Sequence, residues 1–180
     1  MPLPRPSREG FRQLRWIGIA FLVLTLVGLL GQMRLWPHTL KGRTAPDFTL
    51  PKLAQGTWTL SDETAQVIVL DFWATWCAPC MVALPRLEQI QHWAEDQNKS
   101  VAVYCINVSD QRDRIEDLWK QKELTMPVLT DSVGTVAEAY QVNTFPTTFV
   151  IADGHVEQAH VGTRSLQVPT LQRQIESLLN

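Results

Sequence analysis

A pair of cysteines is the feature of this sequence best suited to chemistry. Cys77 and Cys80 lie in DFWATWCAPC, where an apolar run rich in β-branched residues meets a segment with helical spacing. A cysteine at such a strand–helix junction lies at the helix N-terminus, where free N–H groups and the helix dipole stabilise a thiolate. The pattern predicts that Cys77 is an exposed, low-pKa nucleophile and that Cys80, one turn further along, resolves a mixed disulfide. Pro79 stiffens the turn between them.

A zinc site and an inert structural disulfide are the other uses of such a pair. Zinc needs about four ligands, but Cys105 stands alone inside a predicted strand and the histidines have no matching spacing; they are His92, His155 and His160. A structural disulfide fits the spacing, although the flanking Trp76 disfavours it. The sequence therefore predicts no metal, and Cys105 is interpreted as a small buried apolar residue rather than a redox group.

An acidic residue lies inside the apolar run that precedes the cysteines. Asp71 is in the segment QVIVLDFWAT, which is predicted to be a strand buried on both faces. An isolated carboxyl group in a low-dielectric strand has a raised pKa and can shuttle a proton near neutrality. The alternative is that Asp71 ends in a water pocket as an ordinary polar residue.

Length and composition limit the other classes of function. The chain has 180 residues and a net charge of -2, which suits one domain plus an appendage and gives no reason to expect a nucleic-acid partner. No Gly-rich turn opens a helix and no phosphate loop is present, so no organic cofactor is predicted.

The appendage is the N-terminus. Residues 1–15 are rich in arginine, and residues 16–33 carry no charge. As a helix this run would be roughly 27 Å long, close to a ~30 Å hydrocarbon core. We expect an uncleaved membrane anchor with the basic arm in the cytoplasm, followed by a linker, 34–43. A cleavable signal peptide and a buried core helix are the alternatives.

Residues 44–180 are predicted to form one α/β domain. The predicted order is β-α-β-α-β-β-α with an extra piece before the last hairpin, which implies a mixed sheet with helices on both faces. The main strands are 66–75, 100–108, 144–151 and 155–162, and the segments APDFTL, GTWTL and MPVLTD are short extended pieces. Four helices are expected. The first begins at the cysteine pair, the second follows Asp110 as its N-cap, the third lies in SVGTVAEAY, and the last begins near Pro169.

These residues give the domain a family resemblance. The sequence resembles the thioredoxin superfamily, in particular the membrane-anchored, extracytoplasmic thiol-disulfide oxidoreductases of the TlpA/ResA type. The resemblance covers residues 44–180 and is carried by APDFTL, FWATWCAPC and TFPTTFVI. It implies a thioredoxin-like fold, and a cis peptide between Phe145 and Pro146 that faces the two sulfurs.

The resemblance also implies roles for individual residues. The substrate would run beside Cys77 along a surface formed by Trp76, Pro79, Phe145 and Pro146, with Trp73 also contributing unless it packs in the core. Asp71 matches the acid that serves thioredoxin as proton acceptor for the second cysteine, here Cys80.

The sequence departs from the family pattern just after the second cysteine. Proteins of the TlpA/ResA type commonly carry a basic residue and a glutamate where this chain has Met81 and Ala83. This departure leaves Asp71 as the better candidate acid/base. The apolar rim of Met81, Val82 and Phe145 favours an extended protein substrate.

The main functional hypothesis is a membrane-tethered reductase that faces the periplasm or the cell exterior. Its partners would be disulfide-containing proteins, such as apocytochrome c with its haem-binding cysteines, and a membrane electron donor of the DsbD/CcdA type. Proline as the second residue between the cysteines favours a reductant, as in thioredoxin.

Three alternatives remain. The first is a disulfide donor, that is, an oxidant. The second is a thiol peroxidase of the AhpC/TSA type, since APDFTL also opens such domains, although their P-x-x-x-T-x-x-C pattern is absent. The third is a tethered binding protein or chaperone that is not an enzyme.

Overall fold

The structure is a computed structural model that describes residues 16–28 and 40–179. Residues 16–28 form a helix, α1, whose apolar side chains are exposed. No helix within the described residues is both long and apolar enough to cross a bilayer. The predicted basic arm, the last residues of the predicted span and most of the predicted linker lie outside the described residues, namely 1–15, 29–33 and 34–39.

Residues 40–179 belong to one compact unit, and a five-stranded mixed sheet forms its centre. Its strands stand in the order β5-β4-β3-β6-β7, with β3, β4 and β5 parallel and β6 and β7 antiparallel to their neighbours. The strands are β3 (Val67–Trp73), β4 (Val101–Val108), β5 (Val128–Asp131), β6 (Thr147–Ala152) and β7 (His155–Val161). All seven residues of the central strand β3 are buried, as its apolar run predicts.

Helices cover both faces of the sheet, and the predicted thioredoxin-like arrangement is confirmed. One face packs against α2 (Cys80–Asp96), α3 (Arg112–Gln121) and α5 (Val168–Leu178). The other face packs against α4 (Thr135–Ala139) and the hairpin of β1 (Thr49–Pro51) and β2 (Thr57–Thr59), which a 3-10 helix (Leu60–Asp62) follows. The steps β3–α2–β4 and β4–α3–β5 run in the same direction along the sheet, so crossovers of one hand put α2 and α3 on the same face.

Alternation along β3 decides which side chains reach the α2 face. Val67, Val69 and Trp73 belong to the cluster under α2, whereas Ile68, Leu70 and Phe72 belong to the cluster on the opposite face. Asp71 has the same parity as Val69 and Trp73, so its carboxyl group points toward the α2 face.

Two predictions about the segment boundaries are wrong. Helix α3 begins at Arg112 with Gln111 at its N-cap, so Asp110 is not the cap. Residues 40–43, assigned to the linker, are held by the β6–β7 hairpin: the Gly42 N–H donates to the Val156 carbonyl at 2.7 Å, and the Val156 N–H donates to the Arg43 carbonyl at 2.9 Å.

Candidate active site

The two cysteines form a disulfide where β3 passes into α2. Their sulfurs are 2.04 Å apart and their Cα atoms 5.3 Å apart. Cys80 is fully buried, and Cys77 is only 4% exposed. The prediction of an exposed Cys77 is therefore wrong for the oxidised protein, in which Cys77 belongs to the core cluster under α2. Cys77 is still the more accessible of the two cysteines, as expected if Cys77 attacks the substrate and Cys80 resolves the mixed disulfide.

The start of α2 provides a hydrogen-bond donor to Cys77. The helix begins at Cys80 and Cys77 lies in the preceding turn, in which Pro79 has helical angles (φ -62°, ψ -31°). The Cys80 N–H donates to the Cys77 carbonyl at 3.0 Å and lies 3.2 Å from the Cys77 Sγ. This N–H is shared between the carbonyl and the sulfur. An N–H at a helix start stabilises negative charge, so this contact favours a thiolate at Cys77 once the disulfide is reduced.

An aromatic surface adjoins the cysteines. The implied cis peptide between Phe145 and Pro146 is confirmed. The Phe145 ring packs edge-on against Trp76, with centroids 5.7 Å apart, and also against the core cluster that contains both cysteines. Trp76 is 72% exposed, Pro79 and Val82 are exposed, and Pro146 is buried. Trp76, Pro79 and Phe145 therefore give this end of the domain an accessible apolar surface.

Trp73 does not contribute to that surface. Its side chain is fully buried, and its ring lies 5.1 Å from that of Trp119 with an interplanar angle of 32°. Its Nε1 has no hydrogen-bond partner among the described residues. Trp73 is thus part of the core under α2 and α3.

Asp71 is a buried carboxyl group with one hydrogen bond. The Thr148 hydroxyl donates to Asp71 Oδ1 at 2.7 Å, while Oδ2 has no partner among the described residues. Burial raises the pKa of Asp71 to about 7, and the hydrogen bond from Thr148 opposes that rise. A group that titrates near neutrality on the α2 face of the sheet can accept and return a proton during thiol chemistry.

The partner of Asp71 is a site residue that the sequence reasoning did not identify. Thr148 faces Asp71 across the β3–β6 pair. It follows the cis proline by two positions, but only the strand register reveals that its hydroxyl meets the carboxyl group.

Cys105 is a buried free thiol beside this acid. It stands opposite Asp71 in the β3–β4 register, and its Sγ lies 3.8 Å from the Met126 Sδ. Burial, and then the charges of Asp71 and Glu88, raise the pKa of the Cys105 thiol well above its ordinary value. These surroundings keep it protonated and unreactive, as its interpretation as an apolar residue requires.

Cys105 should therefore be dispensable for chemistry. We expect Cys105→Ala to keep disulfide exchange within about twofold of wild type while losing about 1 kcal/mol of unfolding free energy, because a small buried group is removed. Iodoacetamide should label Cys77 of the reduced native chain quickly and reach Cys105 only in denaturant. Rapid native labelling of Cys105, or loss of exchange in Cys105→Ala, would contradict this assignment.

The described residues contain no group of three or more His, Cys, Asp or Glu that could hold a metal ion.

Comparisons with known proteins agree with the geometry of the cysteine site. A sequence profile described as the AhpC/TSA family matches residues 41–159. The thioredoxin-like protein YneN of Bacillus subtilis is 31% identical over 156 residues, which cover 83% of this chain and 91% of YneN. The thiol-disulfide oxidoreductase ResA of Geobacillus kaustophilus is 33% identical over 138 residues, which cover 76% of this chain and 77% of ResA.

A solved structure of a thiol:disulfide interchange protein is also similar to this chain. A protein from Chlorobium tepidum, described as a thiol:disulfide interchange protein DsbE, superposes with a TM-score of 0.70 at 34% identity. The match covers 78% of this chain and 98% of that protein.

Proposed function

The chain belongs to the AhpC/TSA family of thioredoxin-like proteins, and we propose that it reduces disulfide bonds of extracytoplasmic proteins while tethered to a membrane. Its class of activity, thiol-disulfide oxidoreductase, follows from its relatives and from the Cys77–Cys80 pair. The observation that carries the thiol chemistry is the hydrogen bond from the first N–H of α2 to the Cys77 Sγ. The direction proposed for it, reduction, rests on Pro79 as the second residue between the cysteines.

Reduction proceeds in two exchanges. The thiolate of Cys77 attacks one sulfur of a substrate disulfide, a mixed disulfide forms, and the other substrate sulfur leaves as a thiolate. Asp71 accepts the proton of Cys80, and the Cys80 thiolate attacks the Cys77 sulfur. The second substrate sulfur then leaves, and both substrate thiolates take up protons. Two electrons have passed to the substrate, and the chain holds the Cys77–Cys80 disulfide.

The substrate is proposed to be an extended protein segment. Trp76, Phe145 and Val82 offer apolar contacts beside Cys77, and none of them carries a charge that would select a small ionic thiol. Cysteines of apocytochrome c before haem attachment are one such substrate. Over-oxidised secreted proteins are another.

The tether and the electron supply complete the proposal. The arginine-rich residues 1–15 and the uncharged run that contains α1 support an anchor with the domain outside the cytoplasm. An oxidising compartment cannot regenerate the dithiol from glutathione. A membrane protein of the DsbD/CcdA type is therefore proposed as the donor of the two electrons.

The reduction potential of the cysteine pair tests the direction of electron flow. We expect the full chain, in a nonionic detergent and on a Cys105→Ala background, to have a potential near that of thioredoxin, about -270 mV. Proline as the second residue between the cysteines is the reason. Equilibration in dithiothreitol redox buffers, with labelling of the free thiols, gives the value.

Two other outcomes would replace this proposal. A potential near that of strong periplasmic oxidants, about -120 mV, would make the chain a disulfide donor. Steady consumption of hydrogen peroxide, coupled to oxidation of added dithiothreitol, would make it a thiol peroxidase.

A further inference from the structure

A polar network lies beside the loop that carries the cysteines. Oδ2 of Asp110 accepts a hydrogen bond from the Thr75 N–H at 2.6 Å, and Oδ1 accepts one from the Thr75 hydroxyl at 2.8 Å. The Asn107 side chain donates to the same carboxylate at 2.8 Å, and the Asp110 N–H donates to Asn107 Oδ1 at 3.2 Å. The Asp110 carboxylate thus accepts three hydrogen bonds and is itself held by Asn107.

The network joins the ends of two neighbouring strands. Trp73 and Asn107 are register partners at the ends of β3 and β4, and Asn107 is buried. Thr75 lies between the end of β3 and Cys77, whose N–H donates to the Ala74 carbonyl at 3.1 Å. A shift of Thr75 would therefore be passed directly to the backbone that carries the Cys77 sulfur.

The chemistry of the network favours a carboxylate. Oδ2 accepts from two N–H groups, those of the Thr75 backbone and the Asn107 side chain, whereas the Thr75 hydroxyl at Oδ1 can donate or accept. An asparagine could keep these contacts only with its oxygen toward the N–H groups and its NH2 toward the hydroxyl, and without the charge. Charge-assisted hydrogen bonds are also about twice as strong as neutral ones.

We propose that Asp110 is a positioning residue that fixes Thr75, and through it Cys77, in the geometry that thiol-disulfide exchange needs. It acts through the loop and does not contact the substrate. This inference rests on the exchange at Cys77 and Cys80 that the proposed function describes. It does not depend on whether the chain acts as a reductant or an oxidant.

Two measured quantities should change when the network is broken. Loss of orientation slows the attack of Cys77 on a disulfide, because part of the barrier is met by holding the reacting groups in place. It also lowers the effective concentration of Cys80 at Cys77. For Asp110→Ala we expect about a tenfold loss in the rate of attack by Cys77 and about a tenfold loss in the effective concentration of Cys80. A tenfold loss in effective concentration shifts the reduction potential of the pair, measured against glutathione, by about 30 mV toward a less negative value.

The test uses the reduced full chain in detergent on the Cys105→Ala background. The rate constant with 5,5′-dithiobis(2-nitrobenzoate) is measured from low to high pH, so that the plateau reports the attacking thiolate and the midpoint reports its ionisation. Asp110→Ala should lower the plateau about tenfold, Asp110→Asn and Thr75→Val about threefold, and Thr75→Ser should match wild type. Asp117→Asn, an exposed position on α3, is the matched control.

The outcomes separate this inference from the proposed function. Plateaus within twofold of wild type for both Asp110 variants would overturn the positioning role, and so would a change confined to the midpoint, which would indicate a charge effect alone. If Asp110→Ala does not fold, the difference between Thr75→Val and Thr75→Ser decides. A wild-type chain that does not react at all would instead refute the exchange chemistry.

Discussion

Replacing Cys77 with serine will abolish disulfide reduction, and replacing Cys80 with serine will leave the chain trapped on its substrate. The serine hydroxyl does not ionise near neutrality and is a poor nucleophile without an activating base, so we expect Cys77→Ser to lose about a thousandfold or more in rate. Cys80 cannot substitute for it, because its side chain is fully buried. Cys80→Ser keeps the attacking sulfur but cannot complete the second exchange.

The trapped species gives the sharper readout. The full-length Cys80→Ser chain, reduced and mixed with an oxidised protein, should form a covalent adduct on non-reducing gels that dithiothreitol dissolves. The Cys77→Ser chain should form none, and Cys105→Ala should behave as wild type. An adduct that forms through Cys80 in the Cys77→Ser chain would reverse the two roles. A cellular phenotype that survives Cys77→Ser/Cys80→Ser would indicate a binding protein rather than an enzyme.

The sequence was sufficient for the parts of the fold that depend on local pattern. Residues 66–75 are apolar and β-branched, and the strand they predict is β3, buried along its whole length. The cysteine pair at its end predicts the start of α2 to within one turn. These features follow from the period of the apolar residues and from the position of the cysteines, and neither depends on distant segments.

Contacts between distant segments could not be predicted in the same way. Asp110 is a good N-cap type two residues before α3, yet its carboxylate bonds to Thr75 because the ends of β3 and β4 lie side by side. Thr148 meets Asp71 only through the antiparallel register of β6 on β3. The burial of Cys77 likewise depends on a core cluster that draws residues from several distant segments.

The pH dependence of stability should report the burial of Asp71. An unfolded aspartate has a pKa of about 3.9, whereas burial raises that of Asp71 to about 7 in the folded chain. As the pH rises from about 4 the unfolded chain loses this proton first, so folding stability falls until the pH passes about 7 and is then constant. Three pKa units correspond to about 4 kcal/mol, which is the upper limit of the expected loss.

Asp71→Asn should remove this slope. The amide stays neutral, so the free energy of unfolding of the oxidised variant should exceed that of wild type by about 2–4 kcal/mol at pH 8 and approach it at pH 4. Urea denaturation of the full chain in detergent at several pH values measures the difference, with Asp117→Asn as the exposed control. Parallel curves for wild type and Asp71→Asn would show that Asp71 is ionised in the folded protein throughout this range.

The same substitution should slow the chemistry that the buried acid serves. Without a proton acceptor, Cys80 must lose its proton to water, so we expect resolution of the mixed disulfide at pH 7 to slow about a hundredfold while attack by Cys77 is little changed.

Thr148→Val provides the matched test, because it keeps the carboxyl group and removes the one hydrogen bond that lowers its pKa. In that variant the fall in stability should still begin near pH 4 but continue to higher pH, and the rise in resolution rate should move to higher pH with it. A joint shift would identify one group, Asp71, as the origin of both, and it would mean that the stability lost by burying the acid is the cost of having a proton acceptor on the α2 face of the sheet.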